Sequence, residues 1–239
     1  MKEIIAMHGW AGDSSQWSNW KEIFQRHNWK WQTAERGYKE KSPHTPTWNN
    51  DNRNNDFKRV ALCHSLGSHL IDNEVLYLAH YVILINSFSR FIPNGKKSRS
   101  ISIALKKMMD SINTPDEYSM LRKFHLKAYK PNFINLESHQ SKFLKISDSG
   151  RVKLKHDLKV LINTNSLPIG LNSYAKVLII NSQDDFILAQ ETKQQLYEDL
   201  INFLKSPPTV INLEKEGHSL SKLESIKKIK QWLEFDYAN

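Results

Sequence analysis

Short apolar runs separated by longer stretches of helical periodicity set the pattern of this chain. The runs are Ile4 to Met7, Trp31 to Ala34, Val60 to Cys63, Val82 to Ile85, Val177 to Ile180 and Val210 to Leu213. They are mainly continuous rather than alternating, which predicts strands buried on both faces, and therefore parallel. Strands alternating with helices predict an α/β fold: a mostly parallel sheet of about six strands, covered on both sides.

Two stretches break this rhythm. Lys39 to Asp56, KEKSPHTPTWNNDNRNND, is polar and carries two prolines and an Asn-rich run, so it reads as a long loop. Between the fourth and fifth strand candidates lie about ninety residues, far more than one crossover helix requires. Within them Ile101, Leu105, Met108 and Ile112 share one helical face, and Leu121, Phe124 and Ala128 form a second stripe that ends at Lys130-Pro131. The expected division is a core of residues 1–89 and 173–239 with a helical lid inserted at 90–172.

Most strand candidates end in residues with chemical potential: His8-Gly9-Trp10, Ser65, Asn86-Ser87, Asp184-Asp185 and His218. In open α/β sheets ligands bind outside the carboxyl ends of strands, which is where these residues fall. The third end reads VALCHSLGSHL, a strand, a sharp turn and the start of a helix. A nucleophilic serine on such a turn needs small residues two positions before and after it, and Cys63 and Gly67 flank Ser65 in that way. Cys63 stands where glycine is usual.

A serine hydroxyl is a weak nucleophile, so it needs a histidine to take its proton and an acid to orient that histidine. In this architecture the acid follows the penultimate strand and the histidine the last. Asp184, in NSQDDFIL, and His218, in EKEGHSLSK, fall there. Asp185 competes for the acid's role; the register of the acid loop, aligned over Asn181 to Ile187, selects Asp184. The oxyanion donors expected are the backbone N–H groups of Leu66, after the nucleophile, and of Trp10, in the glycine-bearing turn His8 to Gly12. Trp10 also walls the pocket. His64 is expected to point away from the site, Cys63 to be a packed residue, and Trp17, Trp20, Trp29 and Trp31 to serve packing.

With 39% apolar residues in 239, the chain can bury one sizeable core. Its single cysteine permits no internal disulfide and no thiolate metal cluster, and no dinucleotide, phosphate-loop or zinc-protease motif occurs, so no metal or cofactor is expected. No apolar run is long enough to cross a membrane, and the first residues lack a signal peptide's apolar core, so a cytoplasmic protein is expected. The net charge of +9 is concentrated: between Arg90 and Val160 there are sixteen Lys and Arg against six Asp and Glu. All of the excess lies in the lid, as a solvated face or as a surface for an acidic partner.

Taken together, HGWAGDSSQW, CHSLGSH, NSQDDFIL and EGHSLS resemble the α/β-hydrolase superfamily, and within it the pimeloyl-[acyl-carrier protein] methyl ester esterases of biotin synthesis. Their H-G-W-G motif is matched at His8-Gly9-Trp10, with Ala11 in place of the last glycine. The resemblance implies hydrolysis of a methyl ester on an acyl chain tethered to an acyl-carrier protein. Ser65 would be its nucleophile, His218 its base and Asp184 the orienting acid. It also implies that Phe124 contacts the acyl chain. Lys123, Lys127 and Lys130, spaced i, i+4 and i+7, are then expected to meet the acidic carrier, with the enzyme a monomer. Two other readings fit the same residues: a thioesterase or small-molecule carboxylesterase with this triad, and a degenerate binding module. Nothing in the motifs points to nucleic acid.

Overall fold

A computed structural model describes residues 2–49, 57–132 and 145–238. It contains six strands: β1 (Lys2–Met7), β2 (Trp29–Ala34), β3 (Lys58–His64), β4 (Tyr81–Ile85), β5 (Lys176–Ser182) and β6 (Thr209–Leu213). They form one sheet in the order β2-β1-β3-β4-β5-β6, every neighbouring pair parallel. Each strand begins one or two residues before its apolar run. The ladder continues through Lys2, Trp29, Lys58, Tyr81, Lys176 and Thr209, whose backbones pair although most of them lack an aliphatic side chain.

The two faces of the sheet follow the period-two alternation of strands. Ile5, Met7, Ala61, Cys63, Val82 and Leu84 pack toward α2 (Gly67–Leu70), α3 (Asn73–Tyr77) and α7 (Gln190–Phe203). Ile4, Ala6, Val60, Leu62, Ile83 and Ile85 pack toward α1 (Ser18–Gln25) and α8 (Leu223–Ala238). Trp17, Trp20, Trp29 and Trp31 are buried in this second layer, as packing residues. The strand order reverses between β1 and β3, so the ends of these two strands lie side by side with Met7 opposite Cys63. That junction is where a ligand finds a crevice in an open parallel sheet.

The polar segment after β2 is tied down more than its composition suggests. Glu35 and His44 form an isolated bridge, and Trp48 is buried with its indole N–H donating to the Val75 carbonyl at 3.0 Å. The later part of that predicted loop, residues 50–56, lies outside the described residues.

Between β4 and β5 stand α4 (Ser98–Ser111), α5 (Glu117–Tyr129) and α6 (Asp148–Asn163). Their apolar stripes close over the carboxyl ends of the strands. Leu105, Ile112, Leu121, Leu154 and Leu158 share a buried cluster with Trp10, Ala11 and Leu66. Helix α6 is fixed to the core by polar contacts. Arg36 donates twice to Asp157 at 2.6 Å, and the Tyr38 hydroxyl donates to the same carboxylate at 2.6 Å. Its first turn fits only because residue 150 is glycine, since a Cβ there would stand 1.8 Å from the Tyr38 carbonyl oxygen. Gly150→Ala is therefore expected to cost about 3 kcal/mol or more in urea denaturation, through overpacking against backbone that cannot yield. A loss below about 0.5 kcal/mol, the range of ordinary surface changes, would contradict this packing.

Candidate active site

Ser65 occupies the turn between β3 and α2 with φ of +54°, the left-handed region that a non-glycine residue enters only under constraint. The constraint is visible. Its N–H donates to the Ile85 carbonyl at 2.8 Å, and its own carbonyl accepts from the Ser87 hydroxyl at 2.9 Å. Gly67 lets α2 approach the end of β1, because a Cβ there would lie 2.7 Å from the Met7 carbonyl oxygen and 2.8 Å from that of His8. Cys63, two residues before the serine, is fully buried, and burial pushes its thiol far above the ordinary range. It acts as a small packed residue there.

The histidine is where the sequence predicts it, but the acid is not. His218 Nδ1 lies 2.9 Å from Asp185 Oδ2, and the Asp185 carboxylate is wholly buried. The other carboxylate oxygen of Asp185 accepts the backbone N–H groups of Ile187 at 2.7 Å and Leu188 at 3.0 Å. Burial works to raise the Asp185 pKa, but His218 and these hydrogen bonds outweigh it and hold the carboxyl at about 2. Asp184 is thus corrected to Asp185. The strand β5 runs on through Ser182, two residues past its apolar run, and shifts the loop register by one. The Asp184 backbone N–H instead bonds the Glu216 carbonyl at 3.3 Å.

His64 also departs from expectation. Rather than pointing away, it sits behind His218, with ring centroids 5.0 Å apart, and its Nε2 donates to the His218 carbonyl at 2.9 Å. That carbonyl also accepts from Asn86 Nδ2 at 2.7 Å. Asn86 further binds Ser182 through both ends of its amide, joining the ends of β4 and β5 to the histidine loop. Its side chain was not legible as a brace in the sequence, although its place at a strand end was. Glu216, fully buried, accepts from Ser225 Oγ at 2.7 Å and Lys222 N at 3.0 Å, and so shapes the same loop.

The turn after β1 lies directly against the nucleophile: a Cβ on Gly9 would stand 3.0 Å from Ser65 Cβ. Ala11 adopts φ of +57°, the conformation for which glycine is the easy choice. The Trp10 indole donates to the Leu154 carbonyl at 3.0 Å, which locks the ring between core and lid. Its ring and that of Phe124 are T-shaped, with centroids 5.1 Å apart.

Two cavities meet at this Trp10–Phe124 pair, and Ser65 lines both. One, of about 200 Å³, holds His218, Asp13, Lys39, His125 and Tyr129. The other, of about 470 Å³, is walled by Phe91, Leu105, Met108, Met120, Leu158 and Leu161, with Lys107, Lys123 and Lys127 also on its lining. Phe124 was expected to line the site. Lys130, expected to share a face with Lys123 and Lys127, does not line this cavity. It is the first residue past α5, at non-helical ψ of 139°, and its ammonium lies 5.5 Å from the Phe186 ring centroid. Lys39 and Tyr129 carried no signal in the sequence, because neither lies at a strand end.

The buried histidines give the fold a signed pH dependence. Burial, with His218 nearby, pushes His64 down to about 3; burial and the Lys39 charge push His125 down to about 3. Between pH of about 6.5 and 3 the unfolded chain takes up protons on these two that the native state refuses, so stability falls as pH falls through that window. Asp185, held at about 2, acts in the same direction lower down: its stabilisation is present above the ordinary carboxylate pKa and is lost toward pH 2. Urea midpoints are expected to decline steadily from pH 6.5 downward, and a flat profile to pH 4 would contradict the neutral burial of His64 and His125.

Fold and site together define an α/β-hydrolase fold with a serine elbow and a His–Asp pair at the carboxyl edge of its sheet. Solved structures with this fold cover nearly the whole chain at low identity. An esterase from Exiguobacterium antarcticum is 14% identical with a TM-score of 0.67, covering 100% of this chain and 92% of that one. BpoC, a putative non-heme bromoperoxidase of Mycobacterium tuberculosis, is 13% identical with a TM-score of 0.67, over 99% and 93%. MenH from S. aureus is 14% identical with a TM-score of 0.64, over 100% and 95%. No protein-family model and no curated protein matches the sequence. Among the described residues no helix is long and apolar enough to cross a membrane.

Proposed function

We propose that this chain is a serine carboxylesterase. The observation that carries the reading is the left-handed Ser65 beside a histidine whose Nδ1 is held by a buried carboxylate. Asp185 fixes His218 with Nδ1–H toward itself, which leaves Nε2 to accept the Ser65 proton as the hydroxyl attacks an ester carbonyl. The N–H groups of Trp10 and Leu66 are the oxyanion donors in this reading, close to the nucleophile on the β1 turn and at the start of α2. His218 then gives its proton to the departing alcohol, and a water activated by the same imidazole releases the acid. A fluorophosphonate probe tests this directly: it should label the wild type at Ser65 and leave Ser65→Ala unlabelled. Absence of labelling on a folded wild type would favour a binding module.

The larger cavity takes an apolar acyl chain. A finer reading is supported by its lysines: the chain is carried by an acidic acyl-carrier protein, the methyl ester of pimeloyl carrier in biotin synthesis being the case the motifs resemble. Exchanging Lys123 and Lys127 for Glu is expected to lower kcat/KM on a carrier-bound ester more than on the free ester. The difference should shrink as salt is raised, since charges at a surface are screened over about 8 to 10 Å. Equal losses on both substrates at all salt concentrations would remove the carrier from the reading.

A further inference from the structure

The direction of the Trp10 N–H, on the turn after β1, is set by the residues that hold the carbonyl before it. A trans peptide is planar, with its C=O and N–H pointing opposite ways, so whatever fixes the Gly9 carbonyl also aims the Trp10 N–H. Two donors reach that carbonyl: His8 Nδ1 at 2.9 Å and the Gly12 N–H at 3.2 Å. A carbonyl oxygen only accepts, so Nδ1 is the protonated nitrogen of this fully buried imidazole. The other nitrogen, Nε2, accepts the Arg36 backbone N–H at 3.1 Å, which selects the same tautomer. Glu35 Oε1 lies 3.3 Å from Nε2 and accepts the Gly37 N–H at 2.9 Å.

Arg36 is itself clamped by the lid. Its guanidinium donates twice to Asp157 of α6, a fully buried carboxylate that also accepts from the Tyr38 hydroxyl. Leu154, three residues earlier and on the same face of that helix, accepts the Trp10 indole N–H. Helix α6 therefore reaches the Gly9–Trp10 peptide by two routes. One runs through the Trp10 ring, the other through Asp157, Arg36 and His8 to the Gly9 carbonyl. We infer that His8 is a positioning residue for the oxyanion hole and that Arg36 and Asp157 hold it in place, so that the docking of α6 aims the donor. The inference rests on the esterase reading, which makes the Trp10 N–H an oxyanion donor. A donor aimed before the reaction costs no reorganisation during it.

His8→Asn and His8→Gln separate the roles of the two ring nitrogens. The Asn amide nitrogen sits where Nδ1 does and can still donate to Gly9; the longer Gln reaches the Nε2 position and can meet only the Arg36 N–H. Each leaves one buried partner unmatched, so urea denaturation should show similar losses of stability. Kinetics on p-nitrophenyl butyrate should differ. His8→Gln is expected to lower kcat by about 10- to 100-fold with KM unchanged, approaching the loss of an oxyanion donor, while His8→Asn stays within about threefold of wild type. Inhibition by butaneboronic acid, whose tetrahedral adduct with Ser65 puts an oxygen in the hole, should weaken in His8→Gln by the factor that kcat/KM falls. Arg36→Lys keeps the charge on Asp157 but loses the two-pronged fork. It should lower kcat several-fold at constant KM, and it carries the test if the buried position 8 tolerates neither amide. Equal losses of kcat in the Asn and Gln variants, or a loss confined to KM, would overturn the inference with the esterase intact, as would wild-type kcat in Arg36→Lys. A wild type that neither cleaves the ester nor labels with fluorophosphonate would overturn both.

Discussion

Ser65→Ala is expected to lower ester hydrolysis by about 10⁴- to 10⁶-fold, because removing the nucleophile leaves only binding and oxyanion stabilisation to act on a water. The variant should fold, since the change deletes one oxygen at a site where the backbone is held by Ile85 and Ser87 rather than by the serine hydroxyl. A second substitution separates the catalytic role of the position from its strain. With φ of +54°, Ser65→Gly should be about 1 kcal/mol more stable than Ser65→Ala in urea denaturation, because glycine enters the left-handed region without a Cβ penalty. Both variants should be equally inactive. Retention of more than a few per cent of wild-type activity in Ser65→Ala would remove the serine from the mechanism, and equal stability of the two would contradict the strained elbow.

Asp185→Asn is expected to cost about 10⁴-fold in kcat at neutral pH, whereas Asp184→Asn should change it by a few-fold at most. An asparagine amide at 185 still faces His218 but presents a neutral group, so the imidazole loses both its preferred tautomer and the charge that stabilises imidazolium. The Asp185 side chain also caps two backbone N–H groups, at Ile187 and Leu188, so the substitution should lower stability as well as rate. Asp184 bonds the histidine loop through its backbone N–H, which a change of side chain leaves in place. Comparable losses at the two positions, or a larger loss at Asp184, would reverse the assignment of the acid.

The sequence by itself determined the six strands, the parallel sheet, the helical stripes between the fourth and fifth strands, and the placement of Ser65 and His218 just after strands. All of these rest on local signals: continuous apolar runs for strands covered on both faces, helical stripes such as Leu121, Phe124 and Ala128, and small residues around a strand-to-helix turn. The tertiary structure decided what depends on where loops close. Whether Asp184 or Asp185 meets His218 is a matter of one residue of register after β5, and the ladder's continuation through Ser182 settled it, which no local pattern records. His64 became a support for the His218 carbonyl, and Lys130 left the face of Lys123 and Lys127, because contacts across the chain and the end of a helix place those side chains. The polar cavity is the furthest from the sequence: Asp13, Lys39, His125 and Tyr129 come from three separate segments, and only the packing of the lid over the sheet brings them beside one serine.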